Sequence, residues 1–574
     1  MSILMGLFIV YNRLGTLSFD ALYNNALTVI NSSSKADMMW LYTAAGCMFV
    51  GFGAKASAFP VHVWLPQSYT EAPAPATALL SAVLSKTGIF GILLVTLDVL
   101  PMQGRWGAFL LMVGVVTMVL GGIRGVMSGN FKTTLAYSSM SQIGFILTGV
   151  GMQSLLAEYL MWTVATQSAG EFMSTTDAWY MDSETLEEIT KVFGMAVNGT
   201  CLHMLNHSLV KLVLFMVAGV IFVQVGSYEL NQVRGFGRRK PFLLVTFLLA
   251  AAGVGGIPFL NGYVSKTLLH ESIAEYGELL TYAIDGSIQP VFSATAGLMK
   301  MVEALFLFSG GLTVAYMTKL FVVLFIEKNR DKKMQESYEA NKKYASIVSK
   351  IAISICALPI PFIGILPNLV AKPVAEYGLV RFGLSEFLEH TQENIHYYSL
   401  KNLSGALISI TVGAIIYIIV VRIMMLKGVS PKKRDGYHDI FPAWLNLEKY
   451  VYRAVFYTAI PFILGIISRI LDSIVDILVV FLRRTVYSDR ALPYELPEGN
   501  RVTHRIGYTM ERVRRLYYTV MRKDYEPKNY EHKLAMKGTD FFENFRIIER
   551  SLSFGLFMFC VGLGLTMIYL LLVN

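Results

Sequence analysis

Apolar residues in this chain come in long blocks, and the blocks have the length of membrane spans. An α-helix needs about 20 mostly apolar residues to cross the hydrocarbon core of a bilayer. Such runs recur near 39–59, 77–99, 107–127, 134–152, 192–224, 241–270, 297–327, 346–368, 402–426 and 551–573. The pattern predicts an all-α polytopic membrane protein. Composition agrees, because only 16% of the 574 residues are charged and 54% are hydrophobic, whereas soluble domains carry about a quarter charged residues.

Three stretches depart from simple spans. GFGAKASAFPVHVWLP holds Pro60 and Pro66, and AAAGVGGIPFLNGYVSK holds Pro258 and a group of glycines. Helix breaks at membrane depth are tolerated where they face a hydrated or protein-filled cavity, and a pair of broken helices is a sequence sign of transporters built from inverted repeats. No repeat is visible residue by residue, so that reading rests on the breaks. Between 441 and 484, Ile466, Ile467, Ile470, Leu471, Ile474, Val475, Leu478, Val479 and Leu482 recur at helical spacing, with Ser468, Arg469, Asp472, Ser473 and Asp476 on other faces. This predicts an amphipathic helix.

Charge supplies the orientation. The net charge is +9, and the basic residues gather between spans: Arg234 to Lys240, Lys328 to Lys343, Lys427 to Arg434, and 483–550. The 153–190 and 281–296 segments are acidic or neutral. The positive-inside rule places the basic loops in the cytoplasm and removes nucleic acid as the reason for the charge. It also favours an in-plane helix at 452–483 and a terminal span at 551–573, although YRAVFYTAIPFILGII keeps a spanning alternative open. Cys47, Cys201, Cys356 and Cys560 are scattered, with no CxxC pair, and there is no GxxxxGK[ST] loop. No metal centre, cofactor site or nucleotide site is signalled in this chain.

The chemistry lies in charges placed inside apolar runs. Lys55, Lys86, Lys211 and Lys266 sit in or beside the spans, and His203 and His207 precede Lys211 at four-residue steps in HMLNHSLVK. A charge at the bilayer centre costs about 2.5–3.5 kcal/mol on insertion scales, so its presence calls for a role. Lysines desolvated in this way can exchange protons near neutral pH, and residues four apart share a helix face. His203, His207 and Lys211 are therefore expected to relay protons along about 12 Å of helix. A structural reading also exists, in which these groups tie helices together. Lys55 and Lys266 flank the two breaks, and His270 follows Lys266 by four residues as a possible extension of the path. His62 is expected in packing or at the cytoplasmic mouth, and Asp98 and Lys319 at span ends as interfacial residues.

FGAKASAFPVHVWLPQSYTEAPAPATALLSAVLSKTGIFG, NFKTTLAYSSMSQIGFILTGVG, HMLNHSLVKLVLFMVAG and GIPFLNGYVSKTLL resemble, in order, the antiporter-like subunits of respiratory complex I, Mrp-type cation/proton antiporters and energy-converting membrane-bound hydrogenases. The resemblance covers about 40–370, and the remainder is similar to the lateral-helix extension of NuoL-type members. It implies an antiporter-like bundle with two broken helices, a lateral helix and a terminal transmembrane anchor. It also implies roles: Lys55 as acceptor of the input half-channel, Lys86 as a bridge, His203, His207 and Lys211 as the central connection, and Lys266 as the end of the output half-channel. Iron–sulfur clusters, flavin or a NiFe centre are implied only in partner subunits, so this chain would be the translocating part of an oxidoreductase complex.

One departure is that family members begin with further helices, the last carrying a glutamate that pairs with the first lysine. MSILMGLFIVYNR offers about half a span, and Glu158 and Glu171 are misplaced for that role. A small separate subunit is expected to supply the missing helices and glutamate, beside other antiporter-like subunits, peripheral redox subunits and the lipid bilayer. The expected organisation is a truncated first helix and external loop at 1–38, a core at 39–370, a further span with loops at 371–440, a basic cytoplasmic-side segment with the lateral helix at 441–550, and an anchor at 551–574. The expected location is a bacterial or archaeal cytoplasmic membrane. The readings in competition are a proton- or sodium-translocating subunit of a redox-driven complex, an Mrp-type antiporter subunit, and an assembly subunit that clamps its neighbours. The insertion at 153–190 has no assigned role.

Overall fold

The computed structural model describes residues 1–32, 35–172, 183–285, 295–371, 373, 396–426, 436–442, 450, 454–485, 501–521, 523–538 and 541. Among them there is no β-strand, and eight helices are long and apolar enough to cross a membrane. The chain divides into two compact units, Met1–Leu445 and Asn446–Asn574.

The first unit opens with α1 (Ser2–Leu14), α2 (Phe19–Asn31) and α3 (Lys35–Ala56). The helix α2 forms where a loop was expected, and it buries Leu22 and Ala26, one turn apart on one face. At the end of α3 the chain breaks: Ser57 takes a φ of 68° and the Phe59–Pro60 peptide is cis. It resumes in α4 (Trp64–Glu71) and α5 (Ala74–Val99). The second interruption splits the run expected as one span over 241–270. Its first half, α9 (Pro241–Gly255), ends on Gly256 at a φ of 78°, a left-handed geometry that suits glycine. Pro258 cannot donate the next backbone hydrogen bond, and α10 starts afresh at Asn261–Asp285.

Between the two breaks lie α6 (Gly104–Met127), α7 (Phe131–Phe172) and α8 (Ser183–Val225). At 1.5 Å per residue, α7 and α8 are each about 60 Å long, roughly twice the hydrocarbon thickness. Residues 153–172 and 183–190, read from sequence as part of an inserted loop, are instead helical continuations of these two spans. The bundle continues with α11 (Ala296–Ile326), α12 (Lys332–Ala340), α13 (Ile347–Ile365) and α14 (Leu400–Met425). All four of these starts carry side-chain caps, Asp331 accepting from Lys333 N–H at the start of α12. Thr295 accepts from Leu298 N–H, Ser346 from Ser349 N–H and Ser399 from Asn402 N–H, each satisfying an orphan first-turn donor. The largest apolar core is drawn mainly from α7, α8, α9 and α11.

In the second unit, α15 (Ile460–Thr485) and α16 (Arg501–Val520) are both amphipathic. The predicted span 551–573 and Cys560 lie outside the described residues.

Candidate ion-translocation site

The first contact between candidate site residues is made between α5 and α8. A π-helical turn at Leu80–Leu84 interrupts the regular ladder of α5, and such turns leave carbonyls with altered partners. Ser81 O accepts from Lys86 Nζ at 2.6 Å and from Ser85 Oγ at 2.8 Å. Lys86 Nζ also lies 2.8 Å from His207 Nδ1. With Lys86 charged, Nδ1 accepts and the imidazole proton sits on Nε2. Proton transfer along the same contact yields a neutral amine and an imidazolium. His207 Nε2 is buried with no hydrogen-bond partner among the described residues.

One turn earlier on α8, His203 is held at both ring nitrogens. Nδ1 lies 2.9 Å from Ser265 Oγ on α10, and Nε2 lies 3.1 Å from Gln142 Oε1 on α7. Gln142 Nε2 donates in turn to Thr313 Oγ1 on α11 at 3.3 Å. Ser265 Oγ can donate to Nδ1 of a neutral His203, or swing to Gly262 O at 3.3 Å and accept from an imidazolium. Three helices thus hold a histidine that both protonation states can occupy. His203 lies within electrostatic reach of Lys86 and Lys266, and His207 within reach of Lys86, Lys211 and His203.

Lys266 is placed by the second break. Its Nζ donates to Val254 O at 2.8 Å, a carbonyl in the last turn of α9, where helix carbonyls lack intrahelical donors and the dipole favours a cation. The ammonium also sits 4.6 Å from the centroid of the Phe145 ring. A cavity of about 40 Å³ adjoins Lys266, His270, Gly256 and Asn402. His270 lines a second cavity too, of about 440 Å³, with Glu303, Lys300 and Lys401. His270 Nε2 lies 3.1 Å from Glu303 Oε1.

The geometry changes the sequence picture in several places. Lys211 Nζ donates to Leu135 O on α7 at 3.0 Å, so the His203, His207 and Lys211 set is not one wire along α8: its members reach sideways to α10, α5 and α7. Lys55 is exposed at the end of α3 and forms no hydrogen bond or ion pair with described residues. It stands on the half-helix before its break, while Lys266 stands on the half-helix after its own, so the two are not in matching positions. The α3 terminus nonetheless abuts α5, because a Cβ on Gly88 would lie 2.5 Å from Phe52 O and Ala56 N. His62 stacks on Phe59 with ring centroids 5.9 Å apart. Glu158 accepts from Gly104 N–H at 3.2 Å at the start of α6, and the Glu171 side chain lies outside the described residues.

Lys319 and Asp98, expected near span ends, are buried within the bundle. Lys319 Nζ donates to Gly125 O, Val126 O and Ser128 O at 2.9, 2.9 and 2.6 Å, closing the C-terminal end of α6. Lys132 and Lys240 are also buried. Lys132 donates to Thr70 O and Ala72 O after α4, and Lys240 to Phe236 O and Tyr338 O, each at 2.7 Å. These three ammonium groups are locked onto backbone carbonyls. Lys86, by contrast, has a titratable imidazole among its partners.

The sequence matches the family described as NADH:quinone oxidoreductase/Mrp antiporter, TM, over residues 1–197 and 189–293. The chain belongs to this family. Among curated relatives, hydrogenase-4 component B of Escherichia coli (strain K12) is 29% identical over 294 residues, covering 51% of this chain and 38% of that protein. A putative antiporter subunit, mnhA2, of Staphylococcus saprophyticus subsp. saprophyticus is 24% identical over 444 residues, covering 77% of this chain and 49% of that protein. The chain therefore spans less than half the length of these relatives. A chain in the structure of the Mrp complex from Dietzia sp. DQ12-45-1b aligns at 18% identity over 68% of this chain and 67% of that one, with a TM-score of 0.49. The protein is an antiporter-like multi-pass membrane subunit, homologous to subunits of complex I, hydrogenases and Mrp antiporters. Among the described residues, no group of three or more His, Cys, Asp or Glu side chains could hold a metal ion.

Proposed function

We propose that this chain is the proton- or sodium-translocating membrane subunit of an electron-driven respiratory complex, a complex I-like dehydrogenase or a membrane-bound hydrogenase. Lys86, His207, His203, Lys211 and Lys266 would handle the protons. The observation that carries this reading is the 2.8 Å contact between Lys86 Nζ and His207 Nδ1: two groups able to exchange a proton, one on each of two helices, inside the apolar bundle. Buried polar atoms without protein partners, His207 Nε2 and Asn206 Oδ1 among them, supply the kind of polar lining that holds internal water and extends such a path. From Lys266 the route runs past His270 into the Glu303-lined cavity, on the side of the acidic 281–296 loop, which is external by the positive-inside rule.

Lys55 is the entry group in this scheme. An exposed ammonium on a membrane helix favours a carboxylate from a neighbouring subunit, in line with a small partner that carries an intramembrane glutamate. Redox cofactors would reside on peripheral partners. The alternative is an Mrp-type antiporter subunit. Native purification in mild detergent with subunit and metal analysis separates the two. Nickel, iron or flavin with soluble partners supports the redox-driven reading, whereas only hydrophobic partners and no redox cofactor would replace it with the antiporter.

A further inference from the structure

The helix α16 is built asymmetrically. At 3.6 residues per turn, Val502, Ile506, Val513, Leu516 and Val520 fall within about 80° of arc. They are open to their surroundings, Val513 at 65%, Leu516 at 68% and Val520 at 73% exposure. Arg501, Arg505 and Arg512 form a row along one flank of that stripe, within about 40° of one another, and all three are exposed. The opposite face is already occupied by the segment that follows. Gly507 lies against the Glu531 backbone, where a Cβ would come within 2.6 Å of Glu531 Cα. Arg514 Nη1 donates to Tyr530 OH at 3.2 Å, and Glu511 accepts from Lys528 N–H at 3.1 Å and from Tyr525 OH. His504 pairs with Glu531. The single carboxylate of the helix is thereby turned away from the arginine row.

We propose that α16 lies in the plane of the cytoplasmic leaflet, with its valine and leucine stripe in the acyl boundary and Arg501, Arg505 and Arg512 on anionic phospholipid headgroups. An apolar stripe bordered by cations fits a planar surface with tails below and phosphates at its rim, because arginine stems lie along the boundary while the guanidiniums reach the headgroups. The row spans about 17 Å along the axis, a length that several headgroups would line. Charge complementarity singles out anionic lipid: the helix carries Arg501, Arg505, Arg512, Arg514 and Arg515 against Glu511 alone.

The test places the photoreactive residue p-benzoylphenylalanine at position 513 of the full chain in native membranes, irradiates, and identifies the adducts by mass spectrometry after purification of the intact complex. Phospholipid adducts rich in anionic headgroups are expected. The R501Q/R505Q/R512Q variant should lower the anionic adducts at least about fivefold, while R501K/R505K/R512K, which keeps the charge, should retain them. Adducts to another subunit would show that a protein covers the stripe, and would overturn the proposal. So would a lack of adducts, or equal loss in the glutamine and lysine variants.

Discussion

At the scale of single residues, Lys86 and Lys319 show how differently two lysines within the spans can be partnered. Lys86 meets an imidazole, and Lys319 meets three carbonyls. Lys319→Met would leave those carbonyls buried and unsatisfied, at about 1–3 kcal/mol each before relaxation. It is expected to lower the unfolding temperature of the purified protein and its yield in the membrane; unchanged stability would remove the capping role. Ser265→Ala takes away the hydroxyl that serves His203 in both protonation states. Translocation should fall about tenfold or more in an assembled complex, with recovery in Ser265→Thr. An unaffected rate in the alanine variant would exclude His203 and Ser265 from the path. Lysines and histidines could be found in the sequence because a charge in an apolar run is conspicuous. Gln142 and Ser265 could not, because small uncharged polar residues are common in membrane helices whatever their role. The carbonyls that Lys319 meets could not be read from the sequence either, because position along a helix does not reveal which neighbour a side chain meets.

At the scale of elements, α6 and α7 meet through glycines spaced seven apart. Gly107 and Gly114 on α6 face Gly151 and Gly144 on α7, and Gly121 faces Ser141; a Cβ on Gly144 would lie 2.2 Å from Met118 N, and one on Gly151 2.5 Å from Leu111 N. Seven residues are close to two turns, so these positions form a stripe that lets the backbones approach. Gly144→Val is expected to destabilise the bundle by about 3 kcal/mol and to displace Gln142, two residues away, from His203. Thermal unfolding and translocation should therefore decline together, and a stable, active variant would contradict this packing. Most spans were legible, since long apolar runs are strong local signals. The helical extension of α7 and α8 was not. Loss of hydrophobicity after residue 152 marks where the bilayer ends and says nothing about where the helix ends, and no proline follows to stop it before residue 172. The helix α2 was missed because it is too short to register as a span.

At the scale of the whole molecule, the proposed route would run transversely from Lys86 on α5 through His207 and His203 on α8 to Lys266 on α10, then past His270 to the Glu303-lined cavity. Buried capping lysines brace the ends of the bundle on the side of its basic loops. Such an arrangement stabilises the bundle independently of the titrating groups, so exchanging a path residue should stop ion movement without dismantling the complex. The most direct test is proton uptake into liposomes by the natively purified, reconstituted complex carrying Lys86→Met. The prediction is a fall in translocation of at least about tenfold with subunit composition and thermal stability unchanged. Full translocation in an intact Lys86→Met complex would contradict it.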